Sequence, residues 1–258
     1  MDLELSGKHV LVTGGSRGIG FACAQDFLKE GCNVSIAGRD AQRLEQSCAA
    51  LDPTLSRVKG YAADLTDAAQ ALQMIESAEK ARGPIDILVN AAGAARQKPF
   101  AELQPQDWRA AMEAKFLTYI NVMDPLVKRM AARGSGAVVN VVVMGGKLPI
   151  TTHLAGGAAN AALMLASAGL AMAYGPQGVR VNALNPSKTA TDRLVAGAQA
   201  EARQHAISTE TALAKAREGR VATPQDVSAA VLFLASPRAG YISGAILCMD
   251  GGTRPMVV

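Results

Sequence analysis

The stretch TGGSRGIG, Thr13 to Gly20, places glycines at 14, 18 and 20, after a β-branched run and before a helical one. Residue types at that spacing suit one task. Gly14 permits a tight turn, Gly18 lets backbone approach a pyrophosphate and Gly20 allows close helix packing, while the helix N-terminus offers N–H groups to anionic oxygens. Ser16, Arg17 and Ile19 lie between these glycines and are expected to touch the same dinucleotide. A tight turn with no ligand is the alternative, and the strand–turn–helix context argues against it. The second run, NVSIAGRD, ends in Gly38 and Arg39. A site for NAD(H) wants a carboxylate there to take the ribose hydroxyls, whereas Arg39 with Arg17 suits the 2′-phosphate of NADP(H). Otherwise both arginines are surface residues and Asp40 simply caps the next helix. For proton transfer the candidate is His153, because imidazole titrates near neutrality. If the following helix includes it, Asn160 lies about two turns further on and on nearly the same face. The competing reading is a structural or exposed histidine. His9 and His205 are expected on the surface.

These groups need a scaffold. HVLVTG, NVSIAG, VKGYAAD, IDILVNAAG, AVVNVVV, VRVNALNP and AILCMDGG read as strands, and the Ala-rich stretches between them have helical period. Alternation of this kind predicts an α/β fold with a parallel sheet covered on both faces, and VVNVVV and IDILVN are as continuously apolar as such strands require. PQDWRAAMEAKFLTYINVMDPLVKRMAARG is expected as one helix, and TPQD reads as an N-cap threonine before a proline. With 258 residues and no composition break, a single domain over 1–258 is expected. DRLVAGAQAEARQHAISTETALAKAREG, within about 187–220, is read as a helical lid over a ligand or else as a solvated excursion. The formal charge of +4 is scattered rather than clustered, which argues against nucleic acid and suits a small anionic ligand. Cys23, Cys32, Cys48 and Cys248 show neither CxxC nor metal spacing, so reduced thiols, no metal and a cytoplasmic location are expected. No secretory pattern opens the chain, and no apolar run approaches the roughly 20 residues of a membrane span.

TGGSRGIG, AADLTD, LVNAAG, VRVNALNP and YISGAILCMDGG occur in an order and spacing that resembles the short-chain dehydrogenase/reductase family over nearly the whole chain. The resemblance implies a Rossmann-type doubly wound parallel seven-stranded sheet with helices on both faces. It implies adenine near Asp64 and Leu65, the ribose side supported by Asn90, Ala91, Ala92 and Gly93, and Pro186 to Thr189 facing the nicotinamide amide. It also implies a homo-oligomer, tetramer or dimer, assembled through long helices and the last strand.

The resemblance breaks at four residues on which that family's chemistry depends. An Asn supports a water relay, a Ser polarises the carbonyl, and a YxxxK pair supplies the proton and holds the ribose. Counted from VRVNALNP and from NAAG, those positions fall on Lys115, Val143, Gly156 and Asn160. No shift of register restores the pair: four residues after Tyr61, Tyr119, Tyr174 and Tyr241 stand Leu65, Met123, Gly178 and Ala245. Lys and Asn look exchanged, so Lys115 is expected to hold the nicotinamide ribose or a substrate oxygen with Asn160 beside it, unless it lies in an interface or snorkels to solvent. Tyr119 shares a helix face with Lys115, whose ammonium would depress the phenol's pKa, but that helix carries it away from the crevice. Met144, Leu148, Pro149, Ile150 and Leu154 suit a small apolar substrate or an ordinary core; Lys147, Thr151 and Thr152 share their loop. The leading expectation is an NADP(H)-dependent oxidoreductase with a nonstandard site acting on a carbonyl, alcohol or activated alkene. The alternatives are a catalytically silent nucleotide-binding relative serving as regulator or partner subunit, and a lyase or isomerase using the same crevice.

Overall fold

A computed structural model of the chain describes residues 2–93 and 95–252. Its strands are β1 His9–Thr13, β2 Asn33–Gly38, β3 Val58–Ala62, β4 Ile87–Asn90, β5 Gly136–Val141, β6 Val179–Pro186 and β7 Ile246–Met249. They form one seven-stranded sheet in the order β3-β2-β1-β4-β5-β6-β7, with every neighbouring pair parallel. The chain steps outward from β1 to β3 and then resumes on the other side of β1 with β4. This is the doubly wound Rossmann-type arrangement, and its reversal opens a crevice beyond the carboxyl ends of β1 and β4.

Alternate strand residues feed two cores. Val10, Val12 and Val139 pack with Phe27 and Val231 on one face; Leu11, Val138 and Val181 pack with Ile75 and Leu126 on the other. The first face is covered by α1 Gly18–Lys29, α2 Ala41–Leu51 and α9 Pro224–Ala235, the second by α3 Ala68–Arg82, α5 Thr118–Arg133 and α6 Leu154–Tyr174. Thr223 and Asp226 form the capping box of α9 that TPQD announces. Asp40 caps α2 by accepting from the Arg43 N–H at 3.0 Å.

Four expectations need correction. The run read as one helix is α4 Pro105–Ala111, a π turn over Met112–Leu117 and then α5. A π turn inserts an extra residue per turn and is frequent at functional sites; here it contains Lys115. His9 is buried rather than on the surface, with its imidazole between the Gly83 carbonyl at 2.8 Å and the Ser35 hydroxyl at 2.9 Å. Helix α6 with its following turn, Leu154–Gln177, is long and apolar enough to cross a membrane by length and composition, which the sequence was not expected to contain. Half of its apolar window is buried inside the protein, where α6 packs against β6 and α5. His153 precedes α6 as its N-cap rather than lying within the helix.

The excursion after β6 is helical as expected, with α7 Asp192–His205 and α8 Thr209–Arg217 packed together through Ala198, Ala202 and Ala212. A bridge between Thr189 and Ala222 closes its base. Of the thiols, Cys23, Cys32 and Cys48 are buried, and burial pushes Cys23 and Cys32 up to about 12.

Candidate active site

The glycine turn between β1 and α1 lies against the turn after β4. A β-carbon on Gly14, whose φ is +69°, would stand 2.8 Å from the Ala92 backbone, and one on Gly20 would strike the Gly14 carbonyl. Side chains at 14 and 20 are therefore excluded, and bare backbone faces the crevice. Gly18 lies under Thr191, whose Cγ2 is 3.5 Å from the point a β-carbon would occupy. Arg17 reaches Asp192 at 3.4 Å with both side chains exposed. Arg39 is exposed at the end of β2, without a hydrogen-bond or ion-pair partner among the described residues. Its field adds to the hydrogen bonds from Thr66 that hold the Asp64 carboxyl below the usual carboxylate range. The bare backbone at Gly14 and Gly20 and the exposed guanidinium at the strand end fit the phosphates of a nicotinamide dinucleotide.

Other cofactor candidates are placed less directly. Asn90 is fully buried: its amide donates to Asn140 at 3.0 Å and its oxygen accepts from the Thr13 hydroxyl at 3.2 Å. Asn140 continues this chain to Ser167 at 2.9 Å, so Asn90 joins β1, β4 and β5 rather than facing the crevice. Thr13 Oγ1 also accepts from the N–H groups of Ala91 and Ala92, fixing the turn that the Gly14 loop rests on. Leu65 is buried with its carbonyl bound by Asn121, Pro186 is the last residue of β6, and Thr189 is buried in the bridge to Ala222.

The three proton-bearing candidates take up unexpected partners. Lys115 is only 5% exposed; its Nζ donates to the Tyr119 hydroxyl at 2.6 Å and to the Val141 carbonyl at 3.0 Å. Tyr119 Oη in turn donates to Val141 at 2.6 Å. Burial, and after it the Arg193 guanidinium, pushes the Lys115 amine well below its usual range. Burial pushes the Tyr119 phenol up rather than down, against the expected depression by its lysine neighbour. Asn160 Nδ2 donates back to the Gly156 carbonyl at 2.8 Å, and its Oδ1 is buried without a partner. Lys115 and Asn160 therefore share no hydrogen bond.

His153 sits differently. Its imidazole folds over the first turn of α6, so that a β-carbon on Gly156 would lie 2.5 Å from Nε2 and closer still to Cε1. The ring fills the space that a side chain at 156 would need. The same point is 2.8 Å from Ala95 Cβ. His153 is 5% exposed, and Nδ1 is buried without a partner. Burial first, then Arg193 and Lys115, lower its pKa to about 4, so the ring is neutral at physiological pH.

Helix α7 is tied to the loop before α6 and to the turn after β4. Thr152 donates to Glu201 at 2.7 Å, and Gln204 donates to Thr151 at 2.8 Å. Arg193 donates to the carbonyls of Gly93 at 3.3 Å and Ala95 at 3.5 Å. Met144 is buried, while Leu148, Ile150 and Leu154 are partly exposed. Sequence reasoning missed Arg193; the only signal was a lone cation early in the excursion after β6. Among the described residues no cluster of His, Cys, Asp and Glu could hold a metal.

The sequence matches the family described as enoyl-(acyl carrier protein) reductase over residues 14–254. It is 34% identical to a D-threitol dehydrogenase of Mycolicibacterium smegmatis over 97% of this chain and 94% of the relative. It is 31% identical to a 3alpha-hydroxysteroid dehydrogenase of Mediterraneibacter gnavus over 98% of this chain and 100% of the relative. Among solved structures, L-sorbose reductase of Gluconobacter frateurii with NADPH and L-sorbose superposes with a TM-score of 0.89 at 28% identity, covering 100% of both chains. A short-chain oxidoreductase of Pseudomonas aeruginosa PAO1, solved with NADPH and described as containing an atypical catalytic centre, gives 0.86 at 29% identity over 97% of this chain and 98% of that one.

Proposed function

The chain belongs to the short-chain dehydrogenase/reductase family, and on that premise we propose that it is an NADP(H)-dependent oxidoreductase in which the His153 imidazole replaces the family's phenol. The observation that carries this reading is the position of His153 in the space a side chain at Gly156 would fill. With Val143, Gly156 and Asn160 at three of the family's chemical positions and Lys115 at the fourth, the active site is nonstandard. NADPH binding by a relative described as having an atypical catalytic centre supports retention of the cofactor.

The N–H groups of the glycine turn, together with Ser16, Arg17, Gly18 and Ile19, hold the pyrophosphate, and Arg39 takes the 2′-phosphate. When bound, NADP(H) supplies or accepts the hydride. A neutral imidazole offers one N–H and one lone pair. In reduction the Nε2–H polarises the substrate carbonyl and gives its proton to the developing alkoxide. In oxidation the lone pair of the other tautomer accepts the hydroxyl proton. Lys115 and Asn160 bound the pocket beside it, with Lys115 fixed by Tyr119 and Val141. Leu148, Ile150 and Leu154 suit a small substrate with an apolar body, and the α7–α8 pair serves as its lid. Assembly as a dimer or tetramer is supported by the outward face of α6, where Leu165 is 78% and Met172 82% exposed, and by Leu247 on β7, 41% exposed.

The test is NADPH binding by fluorescence, followed by consumption across carbonyls, alcohols and enones. His153→Gln is expected to lower turnover by about a hundredfold to ten-thousandfold. NADPH binding without turnover on any compound would instead favour a silent nucleotide-binding relative.

A further inference from the structure

Two basic side chains of the site, Arg193 and His153, lie beside the turn after β4. Arg193 spans from α7 to the Gly93 and Ala95 carbonyls. A β-carbon on Gly93 would stand 3.4 Å from the Lys115 Cα, and one on Gly156 would meet both His153 and Ala95. The Arg193 guanidinium and the His153 ring thus lie beside Gly93 and Ala95, where the Lys115 backbone also passes while its Nζ turns away to Tyr119 and Val141. Among the described residues no carboxylate hydrogen-bonds or ion-pairs with any of the three, and Asp192, beside Arg193 in sequence, turns to Arg17. Two long carbonyl contacts leave most of a guanidinium's five donors free. Carbonyls do not neutralise its charge, and the residue is exposed on α7, so its free donors are open to an incoming anion. Arg193 lowers the pKa of both Lys115 and His153, second to burial in each case. His153 Nδ1, buried and unpartnered, is a second polar group at the same place without a match.

We infer that Arg193 recognises a carboxylate on the substrate, adjacent to the reacting carbon, which makes the substrates 2-oxo acids or 2-hydroxy acids with an apolar chain. The inference rests on the proposed oxidoreductase activity and narrows it. A guanidinium fork matches a carboxylate in two parallel hydrogen bonds, and its attachment at Ala95 puts the fork beside the His153 ring. The reaction is 2-oxo acid plus NADPH plus a proton to 2-hydroxy acid plus NADP+, with the proton reaching the carbonyl oxygen from the imidazole side. The glycine turn, Arg17 and Arg39 provide for the dinucleotide's own phosphates, which leaves Arg193 for the substrate.

The test is calorimetric titration of the full chain, alone and with NADP+, using 2-oxooctanoate and its methyl ester. The acid is expected to bind at least about tenfold more tightly than the ester, a factor typical of a charge-assisted hydrogen bond. Arg193→Gln brings that ratio to about one and Arg193→Lys to an intermediate value, while NADPH affinity by fluorescence changes by less than about threefold. Absence of acid binding or equal affinity for acid and ester in the wild type overturns the inference. So does an acid preference that survives Arg193→Gln, including the case where NADPH binding weakens instead and the guanidinium serves the dinucleotide. A wild type that does not bind NADPH ends the oxidoreductase reading alone, because the acid-to-ester ratio on the unloaded chain still decides the role of Arg193.

Discussion

A methyl group added at Gly156 probes the position of the His153 imidazole directly. In a helix, alanine is favoured over glycine by about 1 kcal/mol. Against that gain, the new carbon would stand 2.5 Å from His153 Nε2 and 2.8 Å from Ala95 Cβ, well inside van der Waals contact. The ring must leave its place, and overpacking of this kind costs about 1–3 kcal/mol. Gly156→Ala is therefore expected to destabilise the fold by about 1 kcal/mol net, or about 2–4 °C in Tm for a chain of this size. In a His153→Ala background only the Ala95 contact remains, on a loop, and the helix gain offsets more of the strain. Gly156→Ala then costs close to nothing. Urea denaturation of the four proteins in this cycle is expected to give a coupling of about 1 kcal/mol or more. Additivity within about 0.5 kcal/mol would refute the reasoning, because the two positions would then not share one space.

Arg39→Gln is expected to raise the Kd for NADPH by about tenfold to a hundredfold and leave that for NADH within about twofold, both read by fluorescence; equal weakening of the two would remove Arg39 from the 2′-phosphate. His153 has a folded pKa of about 4 against an ordinary 6.5, so the unfolded chain binds its proton first. Stability from this group is full above pH 6.5 and falls as pH drops toward 4, by about 3 kcal/mol in all. Denaturation midpoints of His153→Gln should show a flatter acid limb, and an unchanged limb would mean that the ring is not held neutral. Lys115→Met keeps the chain length and leaves the Tyr119–Val141 bond in place. Because burial disfavours the ammonium form, stability is expected to change by no more than about 1 kcal/mol, whereas a loss of about 3 kcal/mol would indicate a charged, partnered ammonium.

The glycine turn, the seven strands and the Asp40 and Thr223 caps were legible because they depend on local residue type: φ > 0 at Gly14, continuous apolar strands, and side-chain oxygens placed before helices. The parts that were not legible depend on contacts between distant elements. The π turn at Lys115 has no signature in MEAKFL, and nothing in HVLVTG announces that His9 will find Gly83 and Ser35. Lys115 and Asn160 read as an exchanged pair because only their family positions were visible. In space Lys115 turns to Tyr119 and Val141, and Asn160 turns to its own helix. His153 was expected to align with Asn160 by helical spacing, yet its placement comes from folding back over Gly156, a consequence of a missing side chain. Arg193 drew no attention because its partners are backbone carbonyls.

The most direct measurement is a crystal structure of the protein with NADP+. The expected result is a dinucleotide along the Gly14–Gly20 turn, its nicotinamide end facing the His153 ring, with no tyrosine oxygen hydrogen-bonded to the adjoining ribose. A Tyr119 hydroxyl on that ribose, or His153 turned away from the nicotinamide, would contradict the replacement of phenol by imidazole.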